Sequence, residues 1–175
     1  NEVEKAKVLK GELESGADNQ KQLDQQWIER NEAHRQLTDA MAKARANLGD
    51  VTNRLRGNPL HLDAVVIWTS NLTSDLTSLD EAIKSVKRTK GYRVAALEEA
   101  KTLKSELEAK RRDCEAEQKR LAKEKTEREA ATAALEAAIK ECEQSRDPAG
   151  VVAALSRASK AIDVPADVMT RAQLM

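Results

Sequence analysis

The stretch VTNRLRGNPLHLDAVV, residues 51–66, joins two apolar repeats across a single break. On its N-terminal side, steps of three and four residues run Ala6, Leu9, Leu13, Gly16, Gln20, Leu23, Trp27, Arg30, His34, Leu37, Met41, Ala44, Leu48, Val51 and Leu55 without a slip of phase. That spacing is the seam of a coiled-coil-like helix, about 80 Å long if unbroken at about 1.5 Å per residue. Gly16 is the weakest point of the run, but the phase passes through it, so the pattern predicts one helix over about 2–56. Gly57, Asn58 and Pro59 then read as a C-terminal glycine, an N-cap and a first-turn proline.

Beyond the break the same pattern resumes with Leu62, Val65, Thr69, Leu72, Leu76, Leu79, Ile83 and Val86. Two long apolar stripes separated by a tight turn predict antiparallel neighbours, the second helix spanning about 59–90. Val66, Ile67 and Trp68 widen its apolar face, which suits a bundle of three or more helices at this end. A third seam follows through Ala96, Ala100, Leu103, Leu107, Lys110, Cys114, Glu117, Leu121, Glu124, Arg128, Ala131, Leu135, Ala138 and Cys142, polar in its middle, for a helix over about 92–146. Gly91 is either a turn between the second and third helices or a phase slip inside one longer helix, and the turn is the preferred reading.

Asp147 and Pro148 in RDPAG suit the cap and first turn of a short helix over about 148–162, and DVP separates it from another over about 165–174. Elements this short do not stand alone, so they are expected to fold back on a part of the third helix that lacks a long partner. The predicted fold is all-α, a single elongated antiparallel bundle over 1–175 with short C-terminal helices folded back. Seams buried within the chain predict a monomer or weak dimer.

Composition agrees with helices and narrows the chemistry. Charged residues are 34% of the chain and aromatics 2%, with no Phe, so the core must be thin and built from Leu, Ala and Val. Thirty basic and thirty acidic side chains alternate over a few residues. The basic clusters KSVKRTKGYR (84–93), KRR (110–112) and KRLAKEK (119–125) are short, and the last two are flanked by Glu, which argues against nucleic-acid binding.

No spacing of the two histidines, His34 and His61, and the two cysteines resembles a zinc motif, and the glycines form no phosphate loop. His34 on the first seam reads as a polar layer, and His61 as an exposed residue beside the turn. Carboxylate pairs such as Glu98/Glu99 and Glu106/Glu108 read as helix surface, because general acid–base work needs a desolvating pocket that a thin bundle lacks. No catalytic, metal or cofactor residue is therefore assigned, and a non-enzymatic protein is expected. Asn71-Leu72-Thr73 matches an N-glycosylation sequon with Asn71 facing outward. Trp27 reads as a core anchor on its seam; Trp68, on a flank, suits core or binding surface equally. On one helix, Cys114 and Cys142 would lie about 42 Å apart, too far for a mutual disulfide, and read as buried register positions.

The alanine- and glutamate-rich run EREAATAALEAAIKECE (127–143), the long hairpin turning at GNPLHLD, the isolated NLT and the return segment DPAGVVAALSRASKAID together resemble the helical-bundle surface proteins of African trypanosomes, the glutamic acid/alanine-rich kind above all. That resemblance covers most of the chain in layout and composition. It implies a coat protein at the cell surface, held to the membrane by a C-terminal lipid (GPI) anchor outside this sequence. Its partners would be neighbouring coat proteins, with vector or host contact as a further role. The rival reading is an intracellular coiled-coil scaffold, which two thiols and balanced charge suit equally.

Overall fold

The structure is a computed structural model and describes residues 2–57, 60–89, 94–145, 148–161 and 163–175. Among the described residues there are five α-helices and no strand: α1 (Glu2–Leu55), α2 (Leu62–Arg88), α3 (Val94–Ser145), α4 (Ala149–Ala158) and α5 (Ala166–Gln173). The chain is all-α, a helical bundle with long first and third helices. α1 runs without interruption through Gly16, as its continuous phase requires. Glu2 and Glu4 in its first turn and Arg54 in its last complement the helix dipole.

The turn after α1 departs from expectation in detail. α1 ends in two tight bonds, Arg56 N–H to Asn53 O at 3.3 Å and Gly57 N–H to Arg54 O at 3.0 Å. Gly57 does not take the left-handed conformation of a glycine cap. α2 begins at Leu62 rather than near 59, with Val65 N–H bonded to His61 O at 3.1 Å, so His61 holds the cap position. The expected cap at Asn58 and first-turn place for Pro59 lie outside the described residues.

The chain forms two compact units, the first of residues 1–59 and 67–113, the second of 60–66 and 114–175. In the first unit, α1 and α2 are antiparallel: Lys43 and Asn47 meet Asp75, whereas Ile28–Gln36 lie beside Glu81–Thr89. α3 runs parallel to α1, with Arg45 paired to Glu99 and with Thr52 and Asn53 lining a groove with Glu106. The chain therefore reverses between α2 and α3, and the reading of one continuous helix fails; Gly91 itself lies outside the described residues. Leu37, Met41, Ala44 and Val51 of α1, Leu72, Leu79, Ile83 and Val86 of α2, and Ala100, Leu103 and Leu107 of α3 are buried. Each fully buried Leu, Ile or Val among them stabilises the unit by roughly 1.5–3 kcal/mol relative to exposure.

In the second unit the short helices fold back on α3, as expected. Leu135, Ile139 and Cys142 of α3 pack with Val151, Ala154 and Ala158 of α4 and Ala172 of α5, flanked by Val164, Val168 and Met169. Alanine at three of these positions lets short helices approach closely with little apolar bulk. Pro148 (φ −78°, ψ −6°) holds the N-cap position of α4, one residue short of its expected first-turn place, because the helix starts at Ala149; Asp147, the expected cap, lies outside the described residues. Asp163 takes φ 56°, a left-handed conformation that Asp tolerates better than most residues, and Pro165 at φ −53°, ψ 128° leads the chain into α5. Arg171 of α5 closes the fold-back on Glu143 of α3 at 2.6 Å.

Candidate interaction surface

In the first unit, α2 ends at Arg88, beside the Ile28–Gln36 segment of α1. The preceding part of α1, from Glu2 to Trp27, runs about 39 Å further at 1.5 Å per residue. Every described side chain along it is exposed. The apolar members of the predicted seam are therefore in solvent: Leu9, Leu13 (73% exposed), Leu23 and Trp27 (64% exposed), with Val8 and Ile28 beside them.

This overturns the reading of Trp27 as a core anchor and of the first seam as buried along its whole length. The period was right, but α2 is half as long as α1, 27 residues against 54, and cannot cover it. Two exposed pairs, Lys10–Glu14 at 3.8 Å and Asp18–Lys21 at 3.6 Å, and a hydrogen bond from Gln20 to Asp24 at 2.9 Å support this half. Pairs of that kind contribute only about 0.2–0.5 kcal/mol each.

The polar layer is also elsewhere. His34 is exposed and Ala33 takes the buried position beside it, which spares the imidazole desolvation and lets α2 approach. The observed layer is Asp75, 2% exposed in the middle of the α2 seam. Asn47 Nδ2 donates to its Oδ2 at 2.7 Å, and Lys43 Nζ stands 3.4 Å from its Oδ1. Nothing in the spacing distinguished Asp75 from its seam neighbour Leu76, which is half-buried.

Charged pairs tie α3 into the same unit. Arg45 of α1 pairs with Glu99, and Lys104 Nζ sits 2.6 Å from Asp80 of α2 and 3.8 Å from Glu108. The hydrogen bond to Asp80 raises the Lys104 ammonium above the ordinary lysine value. Along α3, Arg120 is clamped between Glu117 and Glu124, its Nε donating to Glu117 at 3.0 and 3.2 Å, which holds the Glu117 carboxyl below its usual range. These are ion pairs on helix surfaces, and none lines an enclosed cavity.

An open groove of about 560 Å³ lies between α1 and α2 in the first unit, with Ile28, Glu32, Lys84 and Arg88 among its walls. Among the described residues no group of three or more His, Cys, Asp or Glu could hold a metal ion, and no helix is long and apolar enough to cross a membrane. Glu98, Glu99 and Glu106 are exposed and Glu108 half-buried on α3. Asn71 is exposed on α2, as its outward position predicts, and the sequon's Thr73 hydroxyl donates to Thr69 O at 2.8 Å. His61 is exposed and Trp68 half-buried; Val66 and Ile67, expected to widen the packed face, remain largely in solvent. Cys114 and Cys142 are buried thiols on the single helix α3.

Among the described residues, six of the exposed large hydrophobics, Val8, Leu9, Leu13, Leu23, Trp27 and Ile28, thus fall on the N-terminal half of α1, a stripe that sequence periodicity locates but assigns to the core. No protein-family model, curated protein sequence or solved structure matches the chain.

Proposed function

We propose that this is a non-enzymatic coat protein of a parasite cell surface, tethered to the membrane by a lipid anchor outside this sequence and working by packing beside its neighbours. The reading rests on the trypanosome resemblance, and one structural observation carries it further. The return of α4 and α5 onto Leu135, Ile139 and Cys142 of α3 agrees with one of the four features that carry the resemblance, the short return segment. Equal numbers of acidic and basic side chains, paired along the helices, suit dense lateral packing because neighbours meet mixed charge instead of one repelling sign.

An intracellular scaffold is the second reading, and the exposed Leu9–Trp27 stripe favours it, since scaffolds assemble through such seams. Antibody staining of intact source cells tests the two. The coat reading expects staining without permeabilisation and release of the protein by a phosphatidylinositol-specific phospholipase. Staining only after permeabilisation, with no phospholipase release, would reject the coat and leave the scaffold.

A further inference from the structure

The exposed stripe of α1 continues an interface already present in the molecule. Leu37, Met41, Ala44 and Val51 bury one face of α1 against α2 and α3, and the same three-four phase carries on through Trp27, Leu23, Leu13 and Leu9 after α2 has ended. We propose that residues 6–30 of α1 pair antiparallel with the same residues of a second copy, about a two-fold axis at Asp18.

The register follows from the seam. Placing Trp27 opposite Leu9 of the second copy also places Leu23 opposite Leu13, and Gly16 opposite Gln20, with each contact repeated by symmetry. Large apolar side chains then meet large ones, and the small Gly16 falls where the polar Gln20 needs room. The flanking positions agree with it. Lys10 faces Asp24 of the second copy, Glu12 faces Gln26, and Asn19 faces its own mate across the axis.

A parallel pairing in register would set Arg30 against Arg30 and Lys5 against Lys10. It would also bring both α2 helices to the same end of the stripe. Antiparallel pairing instead stops where α2 takes over the face of α1. There the first turn of the second copy reaches the α1–α2 groove, whose walls carry Glu29, Glu32 and Glu81 beside Lys84 and Arg88. The inference rests on the exposed seam and holds for either cellular location.

Light scattering of the full chain from roughly 1 to 100 µM tests association, the range in which a modest helical seam is populated. The expected mass is twice 19.3 kDa. Lys10→Glu should weaken the dimer about tenfold or more, and Lys10→Glu with Asp24→Lys should recover it. Both positions are exposed in the single chain, so neither change threatens its fold.

Register is read by cross-linking: Asn19→Cys should form a disulfide dimer under mild oxidation. Leu13→Cys should not, because its mate would be about 15 Å away along the axis. A monomer at every concentration, failure of the charge swap to rescue, or cross-linking through Leu13→Cys in place of Asn19→Cys would overturn the proposal. Another macromolecule bound to the stripe of a strictly monomeric chain would overturn it as well.

Discussion

Asn47 on α1 and Asp75 on α2 share a 2.7 Å hydrogen bond inside an otherwise apolar seam, and the carboxylate is almost wholly withdrawn from solvent. A buried charge of this kind adds little net stability, but it penalises any register that separates it from its partners. Asn47→Ala should therefore destabilise the first unit by about 1–3 kcal/mol, because Asp75 keeps only Lys43. Asn47→Leu with Asp75→Leu should restore or exceed the original stability while loosening the α1–α2 register. Urea denaturation followed by circular dichroism measures both; a double variant no better than the single would show that the polar layer stabilises outright.

Leu37 and Leu13 occupy equivalent places in the sequence pattern and opposite environments. Leu37 is 1% exposed, so Leu37→Ala should cost about 2–5 kcal/mol. Leu13→Ala, at 73% exposure, should change the stability of the single chain by less than about 0.5 kcal/mol. Melts at submicromolar concentration, where copies are apart, give the comparison. Equal losses would mean that the N-terminal half of α1 is covered within the chain.

Those two leucines also mark the limit of what the sequence discloses. Periodicity fixes which face of a helix is apolar, and it placed α1, α3 and the return of α4 and α5 within a few residues. It does not fix how far a partner extends. Leu13 looked like core because nothing in its own neighbourhood registers that α2 ends at Arg88. Adjacent positions on one face are similarly open: Ala33 is buried rather than His34, and Asp75 more deeply than Leu76. A helix of 3.6 residues per turn drifts against a 3.5-residue pattern, and packing chooses between the neighbours. The exposed stripe was legible as apolar, but its being a surface was a tertiary fact.

Lys104 gives a prediction in pH. Its hydrogen bond to Asp80 raises it above 10.5, so the pair's contribution is complete below pH about 10.5 and disappears as pH climbs through the raised value. Solvent screens this partly exposed pair, and its worth at neutral pH is about 0.2–1 kcal/mol. Lys104→Met should lose that amount at pH 7 and converge on the parent protein at the alkaline end, as read by paired urea titrations. A gap that is constant with pH would assign the loss to packing of the lysine stem instead.

Cys114 and Cys142 should behave as buried apolar positions. Both are withdrawn from solvent on one continuous helix, about 42 Å apart, so neither can reach the other without unfolding. A chromogenic thiol reagent should label the native chain slowly at both sites, and Cys142 should react before Cys114. Cys142 is the slightly more exposed of the two, and its cover comes from short helices of ten and eight residues whose opening costs less than opening a long seam. Ala158→Leu would sharpen the test. Crowding the α3–α4 contact should cost about 1–3 kcal/mol and accelerate labelling of Cys142 while leaving Cys114 slow. Equal acceleration at both would mean that the fold-back and the rest of α3 open as one cooperative body.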